Sequence, residues 1–247
     1  MDINQHLDST YLKTASQANI SEDQTRKNVI ALVEEAIACD FKLVMIRPEF
    51  ISLAKELIKK ANSNVVIGTV IGFHEGTNSV EAKLQEAQTA IDNHVDELDF
   101  VINYSAFLEG KINLVKSEVF NGTKLALTHH KIVKWIIEIA ALNDSQIIAI
   151  TQLIRDVVLD NFDEEHAVEV FVKSSTGFYK TTDNKPNGAT FEAMKLIVEN
   201  ARPLQSKAAG GVRTYDDAVK MVNLGVTRIG TSSAKIISEG GKTTTNY

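Results

Sequence analysis

The chain has 247 residues, of which 44% are hydrophobic and 23% are charged, and this balance excludes an intrinsically disordered protein. The net charge of −6 argues against nucleic acid and anionic membranes as partners, although it leaves a small phosphate ester open. The only cysteine, Cys39, excludes an internal disulfide and a CxxC zinc site. No linker-like stretch interrupts the chain, so we expect one domain over residues 1–247.

The predicted strands are short apolar runs rich in valine, isoleucine and phenylalanine, with little strict alternation of apolar and polar positions. This pattern is typical of parallel strands that are buried on both faces. Six of the runs are clear, and the first and seventh are weaker. In chain order the predicted strands cover residues 5–8, 41–46, 65–71, 98–102, 132–139, 168–172, 205–209 and 228–230.

Amphipathic stretches after these runs predict eight helices, and most of them carry a recognisable start signal. Ser21 with Gln24 and Asn143 with Gln146 have the spacing of a capping box, and Pro48 suits a first helical turn. Asn78, Thr190 and Thr214 are predicted caps of three more helices. The remaining two helices are predicted over residues 106–127 and 232–238.

Eight strands that alternate with eight helices over about 250 residues favour an α/β fold, a closed (β/α)8 or TIM barrel. An open doubly wound sheet is the competing fold. It would usually carry a GxGxxG motif or a P-loop after the first strand, and the chain has neither. We expect a short N-terminal extension before the barrel and a polar, flexible C-terminal tail over residues 240–247.

Four charged residues fall inside or at the end of predicted strands: Asp99, Lys134, Lys173 and Lys207. Active sites of TIM barrels lie at the carboxyl ends of the strands, and a buried charge is costly unless it is paired. Cationic neighbours and a dry pocket lower the pKa of a lysine, which frees its amine as a nucleophile. The pattern predicts a reactive lysine. For Lys134 a solvated position at the edge of a strand remains the alternative.

Small, donor-rich turns follow the last three predicted strands. Lys173 precedes Ser-Ser-Thr-Gly, Lys207 precedes Ala-Ala-Gly-Gly-Val-Arg, and the last strand continues into Gly-Thr-Ser-Ser. Glycine-rich turns let backbone N–H groups approach an oxyanion, and TIM barrels commonly bind phosphate after strands 7 and 8. These turns predict a phosphate site, to which Arg213 adds a charge unless it pairs with Asp216 or Asp217.

At these residues the chain resembles the deoxyribose-phosphate aldolase family, class I aldolases with a TIM-barrel fold. The resemblance runs nearly end to end, and its most specific part is the pair Lys-x-Ser-Thr-Gly and Lys-x-Ala-Gly-Gly-Val-Arg that begins at Lys173 and Lys207. It is carried by residues 7–13, 97–103, 172–178, 187–190, 206–213 and 228–233.

The resemblance implies reversible cleavage of 2-deoxy-D-ribose 5-phosphate to D-glyceraldehyde 3-phosphate and acetaldehyde, in deoxyribonucleotide catabolism, without a cofactor or metal. It implies a Schiff base on Lys173, a proton relay of Lys207 and Asp99, and hydrogen bonding to the substrate by Lys134. The C-terminal Tyr247 would assist proton transfer. The other implied contacts are Asp8, Thr10 and Thr176 to the substrate, and Gly177, Gly210, Gly211, Ser232 and Ser233 to its phosphate.

The resemblance also implies a homodimer, and the polar N-terminus without a signal peptide suggests a cytoplasmic protein. The chain also departs from the family at several positions near the site, among them Phe178, where some relatives have a lysine, and Ile139-Ala140-Ala141, where relatives tend to have Thr-Gly-Glu after Glu138. The other departures are a longer loop over 179–187, Arg47 before Pro48, and Ser9 where His is common. Two other functions stay open. A sugar-phosphate isomerase would need a Glu/His pair, for which Glu138 and His74 are the candidates, and a sugar-phosphate sensor would bind without turnover.

Overall fold

A computed structural model describes residues 1–182 and 185–241. Eight parallel strands pair in chain order, and the last strand pairs with the first, so that the sheet closes into a barrel. This confirms the predicted fold class. The strands are β1 Leu7–Tyr11, β2 Leu43–Ile46, β3 Val66–Ile71, β4 Glu97–Val101, β5 Ile132–Ile136, β6 Val170–Lys173, β7 Gln205–Ala209 and β8 Arg228–Thr231.

Ten α-helices among the described residues connect the strands and surround the barrel. The predicted N-terminal extension is a short 3-10 helix, Ile3–His6, before β1. The helices are α1 Ala15–Ala18, α2 Glu22–Cys39, α3 Ile51–Lys60, α4 Val80–Asp92, α5 Tyr104–Leu108, α6 Ile112–Thr128, α7 Asp144–Asn161, α8 Phe191–Ala201, α9 Tyr215–Leu224 and α10 Ala234–Ser238.

Most of the predicted helix starts are confirmed by side chains that cap backbone N–H groups. Asn143 forms both bonds of a capping box with Gln146, and Thr190 and Thr214 accept from the third residue after them. Ser21 accepts from the Gln24 N–H, but the reciprocal bond is not formed. The prediction of Asn78 as a cap is wrong by one residue, because the neighbouring Ser79 accepts from the Ala82 N–H.

Several predicted boundaries differ from the structure by one or two residues, and three larger differences have physical reasons. The first strand is Leu7–Tyr11 rather than 5–8, since the polar residues Asp8 and Thr10 face the barrel interior and hide the strand pattern. The fifth strand ends at Ile136, because Glu138 turns the chain with a left-handed φ of 56°. The helix predicted over 106–127 is two helices, separated where Gly110 adopts a φ of 75°.

The main hydrophobic core lies between the outer face of the barrel and the helices. Trp135 on β5 is an example: it is fully buried, packs on Phe100 at a ring distance of 4.9 Å, and donates to Thr123 Oγ1 on α6 at 3.1 Å. Helix α6 comes this close because Gly122 faces the indole, and a Cβ there would lie 2.7 Å from the ring. Most outward strand positions are apolar and pack against the helices, and polar side chains such as Asp8 and Lys207 occupy inward positions.

No helix among residues 1–182 and 185–241 combines the length and the apolar character needed to cross a membrane.

Candidate active site

The interior of the barrel holds four cations and three carboxylates, all of them buried. Strand register brings several of them side by side: Asp99 lies opposite Lys134, and Lys207 lies opposite both Lys173 and Arg228. Because inward side chains of neighbouring strands point to the same axis, the charges form one cluster. Its members are Asp8, Glu97, Asp99, Lys134, Lys173, Lys207 and Arg228.

Asp99 is the centre of this cluster and binds all three lysines. Its Oδ1 accepts from Lys134 Nζ at 2.8 Å, while its Oδ2 accepts from Lys173 Nζ at 2.8 Å and from Lys207 Nζ at 3.0 Å. The nitrogen atoms of Lys173 and Lys207 therefore share one carboxylate oxygen. This arrangement offers a short route for a proton between the two amines.

Asp8 and Glu97 anchor the other side of the cluster through Arg228. The guanidinium donates to Asp8 Oδ1 from Nη2 at 2.6 Å and from Nε at 2.8 Å, and to Glu97 Oε1 at 3.1 Å. Asp8 Oδ2 lies 2.6 Å from Lys207 Nζ, and Glu97 is paired with Lys134. Lys207 and Lys134 are thus each held between two carboxylates, whereas within residues 1–182 and 185–241 Lys173 pairs only with Asp99.

The surrounding charges and burial give Lys173 a different pKa shift from that of Lys134. Burial lowers the pKa of Lys173 to about 8, and the ammonium groups of Lys207 and Lys134 reinforce the effect against the attraction of Asp99. Burial by itself would raise the pKa of Asp99, but the three lysines hold it well below its usual value. Burial would likewise lower the pKa of Lys134, yet Asp99 and Glu97 raise it above the ordinary value. Lys173 is thus poised to lose its proton near neutral pH, while Lys134 stays charged.

A pocket opens over Lys173 at the carboxyl end of the barrel. Thr10 and Leu12 line one side of it, and residues at the ends of β6, β7 and β8 and in the turns after them line the other side, which we call the far wall. The residues of the far wall are Thr176, Gly177, Phe178, Asn187, Ala209, Gly210, Gly211, Val212, Arg213, Gly230, Thr231, Ser232 and Ser233. The pocket therefore joins the lysine to all of the glycine and serine residues predicted for phosphate binding.

The turns of the far wall pack backbone against backbone, and only glycine permits this. Gly210 and Gly211 have left-handed φ values of 71° and 79°. A Cβ on Gly211 would lie 2.7 Å from the Ala189 carbonyl oxygen, and one on Gly188 would lie 2.6 Å from the Gly210 carbonyl carbon. Such a compact turn can bring backbone N–H groups close to an anion.

The predicted site residues divide into two groups. Thr10, Thr176 and the phosphate turns line the pocket, whereas Asp8, Asp99, Lys134 and Lys207 lie below it within the ion cluster. Lys134 is fully buried, so the alternative of a solvated edge position is wrong. Among the described residues Arg213 pairs with neither Asp216 nor Asp217, and it faces the pocket instead. Tyr247 lies outside the described residues.

Two members of the cluster, Glu97 and Arg228, were not predicted from the sequence. Each is the first residue of a buried strand, so the signal that identified Asp99, a charge beside an apolar run, applied to both. The Glu/His pair of an isomerase is not formed. Glu138 accepts hydrogen bonds from Thr176, while the His74 ring stacks on Phe178 at 5.6 Å.

The fold and the site define a TIM-barrel protein with a buried lysine at the base of the pocket at the carboxyl end of its strands. Comparison with curated proteins agrees with this class. Deoxyribose-phosphate aldolase of Caldicellulosiruptor saccharolyticus is 36% identical over 243 residues, which cover 96% of this chain and 98% of the relative. Deoxyribose-phosphate aldolase of Mycoplasma capricolum is 37% identical over 248 residues, which cover 99% and 98%.

Among solved structures, tetrameric deoxyribose phosphate aldolase from Aeropyrum pernix superimposes with a TM-score of 0.76 at 30% identity, over 96% of this chain and 89% of that one. No family model matches the chain. The full-length identities show that the chain belongs to the deoxyribose-phosphate aldolase family, a family of carbon–carbon lyases.

Proposed function

We propose that this protein is a single-domain class I aldolase that forms a Schiff base through Lys173 and reversibly cleaves 2-deoxy-D-ribose 5-phosphate. The products are D-glyceraldehyde 3-phosphate and acetaldehyde, and the role is in deoxyribonucleotide catabolism. The observation that carries the proposal is the position of Lys173: it is the cation of lowered pKa in the cluster, and it lines the pocket that the phosphate-type turns enclose.

The first step is attack of the neutral Lys173 amine on C1 of the open-chain sugar. The N–C1 bond forms, the C1 oxygen leaves as water, and a protonated imine remains. A pKa of about 8 leaves roughly a tenth of the amine neutral at pH 7. Lys207 supports this step, because its ammonium group shares Asp99 Oδ2 with Lys173 and disfavours a second charge beside it.

In the second step the substrate loses the proton of its C3 hydroxyl and the C2–C3 bond breaks. The electrons of this bond move into the imine, glyceraldehyde 3-phosphate departs, and an enamine stays on Lys173. Protonation of the enamine at C2 and addition of water to the imine then release acetaldehyde and restore the amine. The imine itself serves as the electron sink, so this sequence requires no metal.

We assign the proton transfers to Lys207 and Asp99, with water as the carrier to the substrate. Their contacts support this role, since a proton on either lysine is one carboxylate oxygen away from the other. Lys134 acts as a permanent cation that donates hydrogen bonds, because its two carboxylate partners oppose its deprotonation. Asp8 orients Lys207, and Thr10 and Thr176 contact the substrate from the pocket wall. A contribution of Tyr247 to the protonation at C2 completes the proposal.

The dependence of the rate on pH follows from the ionisation of Lys173. Only the neutral amine attacks the aldehyde, so kcat/KM for the sugar phosphate is expected to rise about tenfold per pH unit below about 8 and to level off above it. A pH series of initial rates at low substrate concentration measures this limb. A flat profile between about pH 6 and pH 8 would show that the amine is not the titrating nucleophile.

Recognition of the phosphate is assigned to the turns of the far wall, to the hydroxyls of Ser232 and Ser233, and to Arg213. Arg213→Ala is expected to lower kcat/KM for 2-deoxyribose 5-phosphate about tenfold, the lower range for a charged hydrogen bond, because the side chain is exposed. The same variant should leave kcat/KM for unphosphorylated 2-deoxyribose within about twofold.

Arg202→Ala is a matched control, since Arg202 is also exposed but precedes β7 at the opposite end of the barrel. It should change neither substrate's rate. If Arg213→Ala lowered kcat/KM equally for both substrates, the assignment of Arg213 to the phosphate site would be wrong.

Turnover tests the proposed function as a whole. The purified protein is incubated with 2-deoxyribose 5-phosphate, and acetaldehyde and glyceraldehyde 3-phosphate are measured separately. Formation of both in equal amounts supports the aldolase. Conversion to an isomeric sugar phosphate without acetaldehyde would favour an isomerase, and tight binding without any product would favour a sensor. The expected homodimer and the cytoplasmic location remain predictions, and the related protein from Aeropyrum pernix is described as a tetramer.

A further inference from the structure

Glu138 is a buried carboxylic acid at the edge of the pocket that the proposed reaction does not use. It follows β5, has no exposed surface, and adopts a left-handed backbone with φ of 56° and ψ of 69°. Both of its neighbours bind the end of β6: the Ile137 N–H donates to the Lys173 carbonyl at 3.0 Å, and the Ile139 N–H donates to the Ser174 carbonyl at 2.9 Å. The backbone around Glu138 is thus fixed directly beside the reactive lysine.

The carboxyl group of Glu138 holds the turn that follows Lys173. Its Oε2 accepts from the Thr176 N–H at 3.2 Å and also from the Thr176 hydroxyl. The same hydroxyl oxygen accepts from the Phe178 N–H at 3.0 Å. Since Thr176, Gly177 and Phe178 all line the pocket, one carboxyl group determines the shape of this part of its wall.

Glu138 has structural features that hydrophobic packing does not explain. Within the described part of the chain no group hydrogen-bonds to the buried Oε1 atom of Glu138, and a non-glycine residue in the left-handed region is strained. Burial raises the pKa of Glu138 to about 7, although the bonds from Thr176 and the charge of Lys173 oppose the shift. Strain and a buried, incompletely bonded carboxyl group at one residue are features of functional positions.

We propose that Glu138 is a positioning residue of the aldolase site: its carboxyl group holds the Thr176–Phe178 turn, and this turn places the sugar phosphate against Lys173. The inference rests on the proposed function. It assigns a role to Glu138 in the alignment of the hydroxylated, phosphorylated part of the substrate. Glu138 has no role in the chemistry of the Lys173 amine. A small aldehyde that needs no alignment should therefore react normally when the Glu138 carboxyl group is removed.

Two variants separate the reach of the side chain from its ability to ionise. Glu138→Asp keeps a carboxyl group and tolerates the left-handed backbone, but it is one methylene too short to reach Thr176. Glu138→Gln keeps the length and an acceptor oxygen, and cannot ionise. We expect Glu138→Asp to lower kcat/KM for 2-deoxyribose 5-phosphate about 30-fold, and Glu138→Gln to stay within about threefold of wild type.

Reductive trapping with acetaldehyde distinguishes a loss of substrate positioning from a general loss of structure, because a general loss of structure would also lower the trapping rate. The rate at which borohydride fixes acetaldehyde on Lys173 should stay within about threefold of wild type in both variants. If Glu138→Asp does not fold, Glu138→Gly removes the carboxyl group and suits the left-handed backbone, and the same pair of results is expected.

The proposal is overturned if Glu138→Asp retains kcat/KM within threefold, if it loses trapping to the same extent as turnover, or if Glu138→Gln loses as much as Glu138→Asp. Failure of the proposed function would look different, because the wild-type protein itself would then neither trap acetaldehyde nor release it from the sugar phosphate.

Discussion

Replacement of Lys173 by methionine is expected to lower kcat/KM for 2-deoxyribose 5-phosphate by on the order of 10⁴-fold or more, because the imine that accepts the electrons cannot form. The fold should survive this change. Four cations face three carboxylates in the cluster, so the loss of Lys173 removes the cation in excess. We therefore expect the free energy of unfolding of Lys173→Met at neutral pH, measured in urea, to equal or exceed that of the wild type.

Lys134→Met is the matched comparison within the same cluster. Lys134 pairs with both Glu97 and Asp99, so its loss leaves each of these buried carboxylates with one cationic partner fewer. We expect a loss of about 3–5 kcal/mol in the free energy of unfolding, the usual cost of breaking a buried ion pair from one side.

Residual turnover in Lys173→Met above about one hundredth of wild type would contradict the assignment of Lys173 as the nucleophile.

Asp99→Asn is expected to have the second large effect, on stability as well as on activity. Asp99 binds three ammonium groups with no exposed surface, and a neutral amide cannot compensate them. The expected loss in the free energy of unfolding is about 3–5 kcal/mol. Turnover should fall by about 100-fold or more, because the relay between Lys173 and Lys207 loses its shared oxygen.

Glu56→Gln is the control for this change, since it also converts a carboxylate to an amide but on the exposed face of α3. It should alter the free energy of unfolding by less than about 0.5 kcal/mol and leave turnover unchanged. Urea unfolding and initial rates measure both variants. A stability loss below about 1 kcal/mol in Asp99→Asn would mean that the three lysines do not depend on this carboxylate for their charge compensation.

The sequence predicted the barrel well because its strands are buried on both faces and its helices begin at polar caps. The seventh strand, Gln205–Ala209, has the predicted bounds, and Asn143, Thr190 and Thr214 cap the helices as expected. The first strand was misplaced because its inward residues, such as Asp8 and Thr10, are polar and break the apolar run. The break at Gly110 was missed because a single glycine is also tolerated within a helix.

The three lysines and Asp99 were found together because charges in apolar strands are rare and converge on the barrel axis. Which charges would pair could not be predicted, since pairing depends on the register between neighbouring strands. Arg228 meets Asp8 from the far end of the chain, and the two residues are 220 positions apart. The contact between Glu138 and Thr176 depends in the same way on how the end of β5 meets the end of β6.

The Schiff base on Lys173 can be detected by borohydride trapping with acetaldehyde, followed by mass spectrometry of the peptides. We expect an ethyl adduct on the peptide that contains Lys173, and no adduct there in Lys173→Met. An adduct on the peptide of Lys207 or Lys134 alone, or no adduct in a folded protein that binds the sugar phosphate, would contradict the assignment of Lys173 as the Schiff-base lysine.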